Sequence, residues 1–231
     1  MLSMPASGMT GRCNAERRRA SLGAVLLAAA GAAVLCAASK SARGFTATLT
    51  PYAPQTIYLQ VGVGAFTNDY IYGGQPENNS TVNTVSVSVA GTAVGSGVAQ
   101  AMTTNSTAAN SYWDGYLFCN LPAQLYIGGF FRTAGGSTSP AQVTAQVPSA
   151  LTDTTGDSIP FSQIQWTSGG NGDTGAETFP AGTFVNGGTQ TVGSMASNTW
   201  NESCWTFSFL NSAVRPAGTY TGTVVYTMTA P

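Results

Sequence analysis

The strongest constraint on this chain is a two-residue alternation near its end. Over Pro216–Pro231, Tyr220, Val224, Tyr226 and Met228 share one parity, with Gly222 among them. Thr219, Thr221, Thr223, Thr227 and Thr229 share the other. Successive side chains on a strand point to opposite faces, so the segment predicts a strand with an apolar inner face and a hydroxyl outer face. Pro216 and Gly218 supply the turn that opens it. The same pattern recurs upstream. Val85, Val87 and Val89 alternate with Ser86 and Ser88, and Val143, Ala145 and Val147 alternate with polar residues. Trp205, Phe207 and Phe209 alternate with Cys204, Thr206 and Ser208.

Further strands are expected over 56–64, with Ile57, Leu59, Val61 and Val63 on one face, and over 112–119, 121–131 and 161–167. Gly128-Gly129 predicts a bend or bulge. Asn186-Gly187-Gly188 predicts a hairpin between 179–185 and 189–192. No segment beyond residue 44 keeps a helical period for ten residues. The expectation is an all-β chain: an Ig-like or jelly-roll β-sandwich of short antiparallel strands, a single domain over 45–231, preceded by a signal segment.

That signal segment is read from residues 1–44. Arg17-Arg18-Arg19 precedes a run of Ala, Leu, Val and Gly from Ala20 to Ala38. A basic start, an apolar stretch and small residues beyond it make a secretory signal. Cleavage after Ser39 or after Gly44 both fit; a membrane anchor is the alternative. The expected location is exported: periplasm, cell surface or extracellular space.

Charge excludes some functions. Charged residues make up only 7% of the chain. Beyond residue 44 there are eight acids against Arg132 and Arg215. Nucleic acid and anionic membranes need a basic patch, so neither is an expected partner. The chain has no histidine, and its one lysine lies in the leader. This removes Ser-His and Cys-His pairs, an imidazole base and a lysine Schiff base. No catalytic residue, cofactor or metal is expected, and the chain reads as non-enzymatic. A carboxylate-only glycoside hydrolase remains as an alternative, since that chemistry needs two acids.

Cys13 and Cys36 leave with the leader, so Cys119 and Cys204 remain as one pair. In an exported chain the simplest reading is a disulfide; two buried thiols are the alternative. Asp153-Thr-Thr-Gly-Asp157 and Asn171-Gly-Asp173 have the oxygen-rich look of a calcium loop without EF-hand spacing; Asx turns explain them better. Trp113, Tyr116 and Trp200, with Tyr112, form a candidate glycan platform, since aromatic faces stack on sugar rings. A carbohydrate-binding module or adhesin is therefore a second reading of function.

The ending Gly218-Thr-Tyr-Thr-Gly-Thr-Val-Val-Tyr-Thr-Met-Thr229 resembles the closing strand of bacterial surface subunits of the spore-coat-U and chaperone–usher pilin type. The resemblance implies an Ig-like fold lacking one strand, completed by a periplasmic chaperone and then by the N-terminal extension of the next subunit. It implies a fimbria-like structural or adhesive subunit joined to other copies or related subunits through sheet edges. On that resemblance the donor strand is Phe45, Ala47 and Leu49. The wall of the acceptor groove is Tyr220, Val224, Tyr226 and Met228, and Cys119–Cys204 stands for a subunit disulfide.

Overall fold

A computed structural model describes residues 45–67, 75–173 and 177–231. The expected signal segment lies outside the described residues. The strands in chain order begin with β1 (Phe45–Thr48), β2 (Thr56–Val61), β3 (Phe66–Thr67), β4 (Gln75–Pro76) and β5 (Val85–Ser86). β6 (Gln100–Ala101), β7 (Thr103–Thr104), β8 (Leu125–Arg132), β9 (Ala141–Val147), β10 (Ala150–Thr152) and β11 (Ser158–Pro160) follow. A short 3-10 turn at Phe161–Gln163 leads into β12 (Ile164–Gly169). β13 (Gly182–Thr183), β14 (Gly188–Met195), β15 (Thr199–Phe209) and β16 (Val225–Thr229) complete the chain.

Two sheets carry the fold, as the alternation predicts. The larger runs β13-β12-β15-β8-β2, and β1 and β6 also pair with β15. The smaller runs β14-β9-β16. All of their pairings are antiparallel. One buried cluster joins them: Ile127 and Phe131 from β8, Trp205 and Phe207 from β15, Val143 and Ala145 from β9, and Met228 from β16. On β16, Met228 is buried and Tyr226 half-buried, while Val225, Thr227 and Thr229 face out. The hydroxyl-out face is therefore real, although the paired strand is shorter than the alternating run.

β15 is the longest strand and has more edge than one neighbour can cover. On one side, β12 pairs with Cys204–Phe209 and β1 with Thr199–Glu202. On the other, β8 pairs with Thr199–Ser203 and β6 with Ser208 and Phe209. Each edge is thus filled by two short strands laid end to end.

The back of the larger sheet is also covered. Every residue of β8 is buried, on both faces. Behind it, Tyr126 packs with Phe118, Cys119, Cys204 and Ala108, and Phe130 packs with Leu49, Tyr58 and Trp200. Segments 62–67 and 105–124 and the residues after β1 thus form a third layer. This corrects the expected inner face of β2. Thr56, Tyr58 and Gln60 are its buried residues, whereas Ile57 is 40% exposed. The Tyr58 hydroxyl donates to Gln60 Oε1 (2.7 Å) and Gln60 Nε2 donates to the Gly62 carbonyl (2.8 Å), so the buried polar groups are paired.

Several local expectations are corrected in the same way. Segment 112–119 forms turns with one isolated bridge, Asn110 to Leu117, because its aromatics pack on the sheet's back instead of joining a ladder. Val85, Val87 and Val89 are half-buried in alternation, yet only Val85–Ser86 pairs, with β7. Gly128-Gly129 makes no bulge. A Cβ on Gly129 would collide with the Tyr58 carbonyl, so Gly129 lets β2 lie close to β8. The irregularity falls in β14, between Thr191 and Gly193. Asn186-Gly187-Gly188 does turn, with φ of 85° and 92° at the glycines. It makes no hairpin: β13 pairs with β12 and β14 with β9, so the turn carries the chain from one sheet to the other.

Candidate functional site

The residues of interest converge on the first half of β15. Trp200, Glu202 and Cys204 share one parity and face the covering layer. Cys119 and Cys204 form a disulfide with a Cα separation of 5.6 Å, both residues fully buried. The bond ties the 105–124 segment to β15. An intact disulfide fits the oxidising surroundings of an exported chain. No helix among the described residues is long and apolar enough to cross a membrane.

Beside it lies a buried carboxylate, Glu202, 1% exposed. Its Oε2 accepts from the Tyr126 hydroxyl (2.6 Å) and from Trp200 Nε1 (3.0 Å). Burial pushes its pKa up, partly offset by hydrogen bonds from Ser111, Tyr126 and Trp200. The Tyr126 hydroxyl is pushed well above its ordinary range by burial first and by Glu202 second.

Two more acids gather nearby. Glu177 Oε2 accepts from Ser203 Oγ (2.9 Å) and Ser168 Oγ (3.2 Å). Asp173, in the loop after β12, is 6% exposed and is pushed up to about 7, by burial first and then by the charges of Glu177 and Glu202. A carboxyl raised by folding favours the fold while protonated, and that contribution is lost as pH rises from the unfolded value to the folded one. In buffer free of divalent cations, stability is therefore expected to fall by on the order of 4 kcal/mol between about pH 4 and about pH 7. Urea midpoints across that range check this, and Asp173→Asn should flatten the curve. A midpoint that rises with pH in both proteins would contradict it.

The glycan platform is partly dismantled. Trp200 is fully buried beneath Trp113, ring centroids 6.4 Å apart, so no ligand can stack on it. Trp113 is half-buried and Tyr116 is 77% exposed. An open cleft of about 330 Å³ runs along Thr107, Ala108, Ala109, Asn110, Ser111 and Tyr112 beside them. A tryptophan count does not tell platform from floor.

The expected donor and groove wall do not meet. Phe45 to Thr48 pair with Glu202 to Thr199 in the larger sheet. Ala47 packs on the cluster around Trp200, and Leu49 is buried there with Tyr58 and Phe130. Leu49 N donates to the Asn198 carbonyl (2.8 Å), and Asn198 holds a left-handed turn at φ 56°. Tyr226 and Met228 belong to the other sheet, with Val224 just before it. They pack on their own core, Tyr226 lying 5.9 Å from Trp205. Tyr220 precedes β16 and turns back, its hydroxyl donating to the Pro216 carbonyl (2.9 Å). The edge that β1 covers is that of β15 over Thr199–Glu202.

The carboxylate grouping was not readable beforehand. Asp173 and Glu177 are four residues apart in the chain, and Glu202 comes near them only through strand pairing. The one local hint is Glu202 itself, an acid set between Trp200 and Cys204 on a single strand face. Among the described residues no group of three His, Cys, Asp or Glu converges as metal ligands. Asp153 is bonded within its own turn, accepting from Thr155 N (3.0 Å) and Asp157 N (2.9 Å). Comparisons with protein-family models, curated proteins and solved structures find no match to this chain.

Proposed function

We propose that this chain is an exported, non-enzymatic bacterial surface protein, a fimbria-like subunit that joins copies of itself or related subunits by β-strand addition. One observation carries the reading. A four-residue strand at the start of the described chain fills the half of β15's edge that β12 leaves open, and the next residue, Leu49, plugs an apolar pocket. Such a slot takes the same strand from its own chain or from a neighbour. Backbone N–H and C=O groups supply affinity, and alternate side chains supply selectivity. The rim is not guarded by charge: Thr46 and Thr48 face outward on β1 and no lysine follows the leader.

The test is deletion of residues 45–50. Assemblies of the purified protein, sized by chromatography with light scattering, should be lost in the deleted chain, with strand content retained by circular dichroism. Assemblies unchanged in size and amount would rule the reading out.

A glycan-binding reading has narrower support: Trp113 and Tyr116 beside the cleft at 107–112. A hydrolase reading finds less, because Glu202 and Asp173 are both buried, out of a polysaccharide's reach.

A further inference from the structure

We propose that Asp173 and Glu177 hold a calcium ion at the end of β12, beside the disulfide. This site is independent of the strand slot. It sits where β15's edge passes from one neighbour to the next: Gly169 of β12 lies opposite Cys204 and Phe45 of β1 opposite Glu202, leaving Ser203 between them. Glu177 enters there and takes the hydroxyls of Ser168 and Ser203 on Oε2. Its Oε1 is buried and receives no hydrogen bond, and neither does either carboxylate oxygen of Asp173.

Asp173 is aimed inward. A Cβ built on Gly170 would meet Asp173 Oδ2 at 2.7 Å and the Phe118 ring closer still, so the carboxylate lies against the inner wall of the loop. The loop is held there. Asn171 N donates to the Phe118 carbonyl (2.9 Å), and the Asn171 and Asn120 amides bond each other. The charges that bear on Asp173 are those of Glu177 and Glu202, both negative. Glu177 is held at Ser168 and Asp173 lies against Gly170, two residues further on, so three buried acceptor oxygens without a donor lie at one end of β12.

A cation satisfies such a place. The donors are all oxygen, since the chain has no histidine and Cys119 and Cys204 are joined. Oxygen-only donors select a hard ion. Magnesium demands near-octahedral geometry and keeps its waters, whereas calcium accepts irregular shells of carboxylates, hydroxyls and carbonyls. Two carboxylates rather than three or four put the site in the weak class.

The experiment uses the purified full chain, stripped with a chelator and titrated with calcium chloride by calorimetry. A single saturable site is expected, with Kd about 10⁻⁴ to 10⁻³ M, and a melting temperature that rises with calcium. Asp173→Asn and Glu177→Gln should each weaken binding about tenfold or more, and magnesium should compete poorly. Asp153→Asn, in the self-bonded turn, should bind as the wild type does. No saturable binding up to about 10 mM calcium would overturn the site. So would full binding in both Asp173→Asn and Glu177→Gln, or loss of binding in Asp153→Asn alone.

Discussion

Replacing Cys119 and Cys204 together by alanine is expected to lower the free energy of unfolding by about 4 kcal/mol. The bond spans 85 residues, so cutting it frees a long loop in the unfolded chain. It also removes packing, because both residues are fully buried among Phe118, Tyr126 and Ala108. The damage should be uneven. The disulfide fastens the covering layer to β15 and is not part of the cluster between the two sheets. Hydrogen exchange should therefore quicken first at Phe118 and Cys119, whose amides donate to the Ala109 carbonyl (2.9 and 2.7 Å), before β9 is affected. A urea midpoint unchanged from the wild type would contradict this.

Trp205→Ala should cost about as much, roughly 3–5 kcal/mol, for a different reason. Trp205 is fully buried and touches both sheets: Trp166 at 5.1 Å and Phe207 at 5.9 Å in its own, and Tyr226 at 5.9 Å in the other. Its indole N–H donates to the Phe179 carbonyl (3.1 Å), which holds the crossing segment after Glu177. Alanine leaves a cavity between the sheets and strands that carbonyl. Against the roughly 5–15 kcal/mol of a typical domain, such a loss brings the protein near its folding limit. Denaturation followed by circular dichroism measures it; a loss below about 1 kcal/mol would mean that Trp205 does not join the sheets.

These two residues show what alternation could and could not reveal. Trp205, Phe207 and Met228 were legible as core because each lies on a strand with one face to the other sheet. The Cys119–Cys204 pair was legible by count, since two cysteines follow the leader. Tyr112, Trp113 and Tyr116 suggest a strand that does not form, because aromatic residues favour both ladders and packed loops. Which backbone finds a neighbour is decided by distant pairing. Val87 and Val89 make the same point, since they alternate in burial without a partner. The third layer was not visible at all. It depends on β8 being buried on both faces, and a continuous apolar run such as Leu125–Phe131 fits several arrangements. In the sequence Asp173 stands in a Gly-rich loop and Glu202 is one acid among eight; only the register of β15 against β12 and β1 brings Glu202 near that loop.

The central functional claim is that the edge of β15 over Thr199–Glu202 is a slot any copy of the first strand can fill. The most direct measurement adds a synthetic peptide of residues 45–50 to the chain lacking them, with amide exchange read at Thr199–Glu202. Saturable one-to-one binding and restored protection at those amides are expected, with no effect from a peptide carrying alanine for Leu49. A folded, deleted chain that ignores the peptide, its β15 edge as protected as in the intact protein, would contradict it.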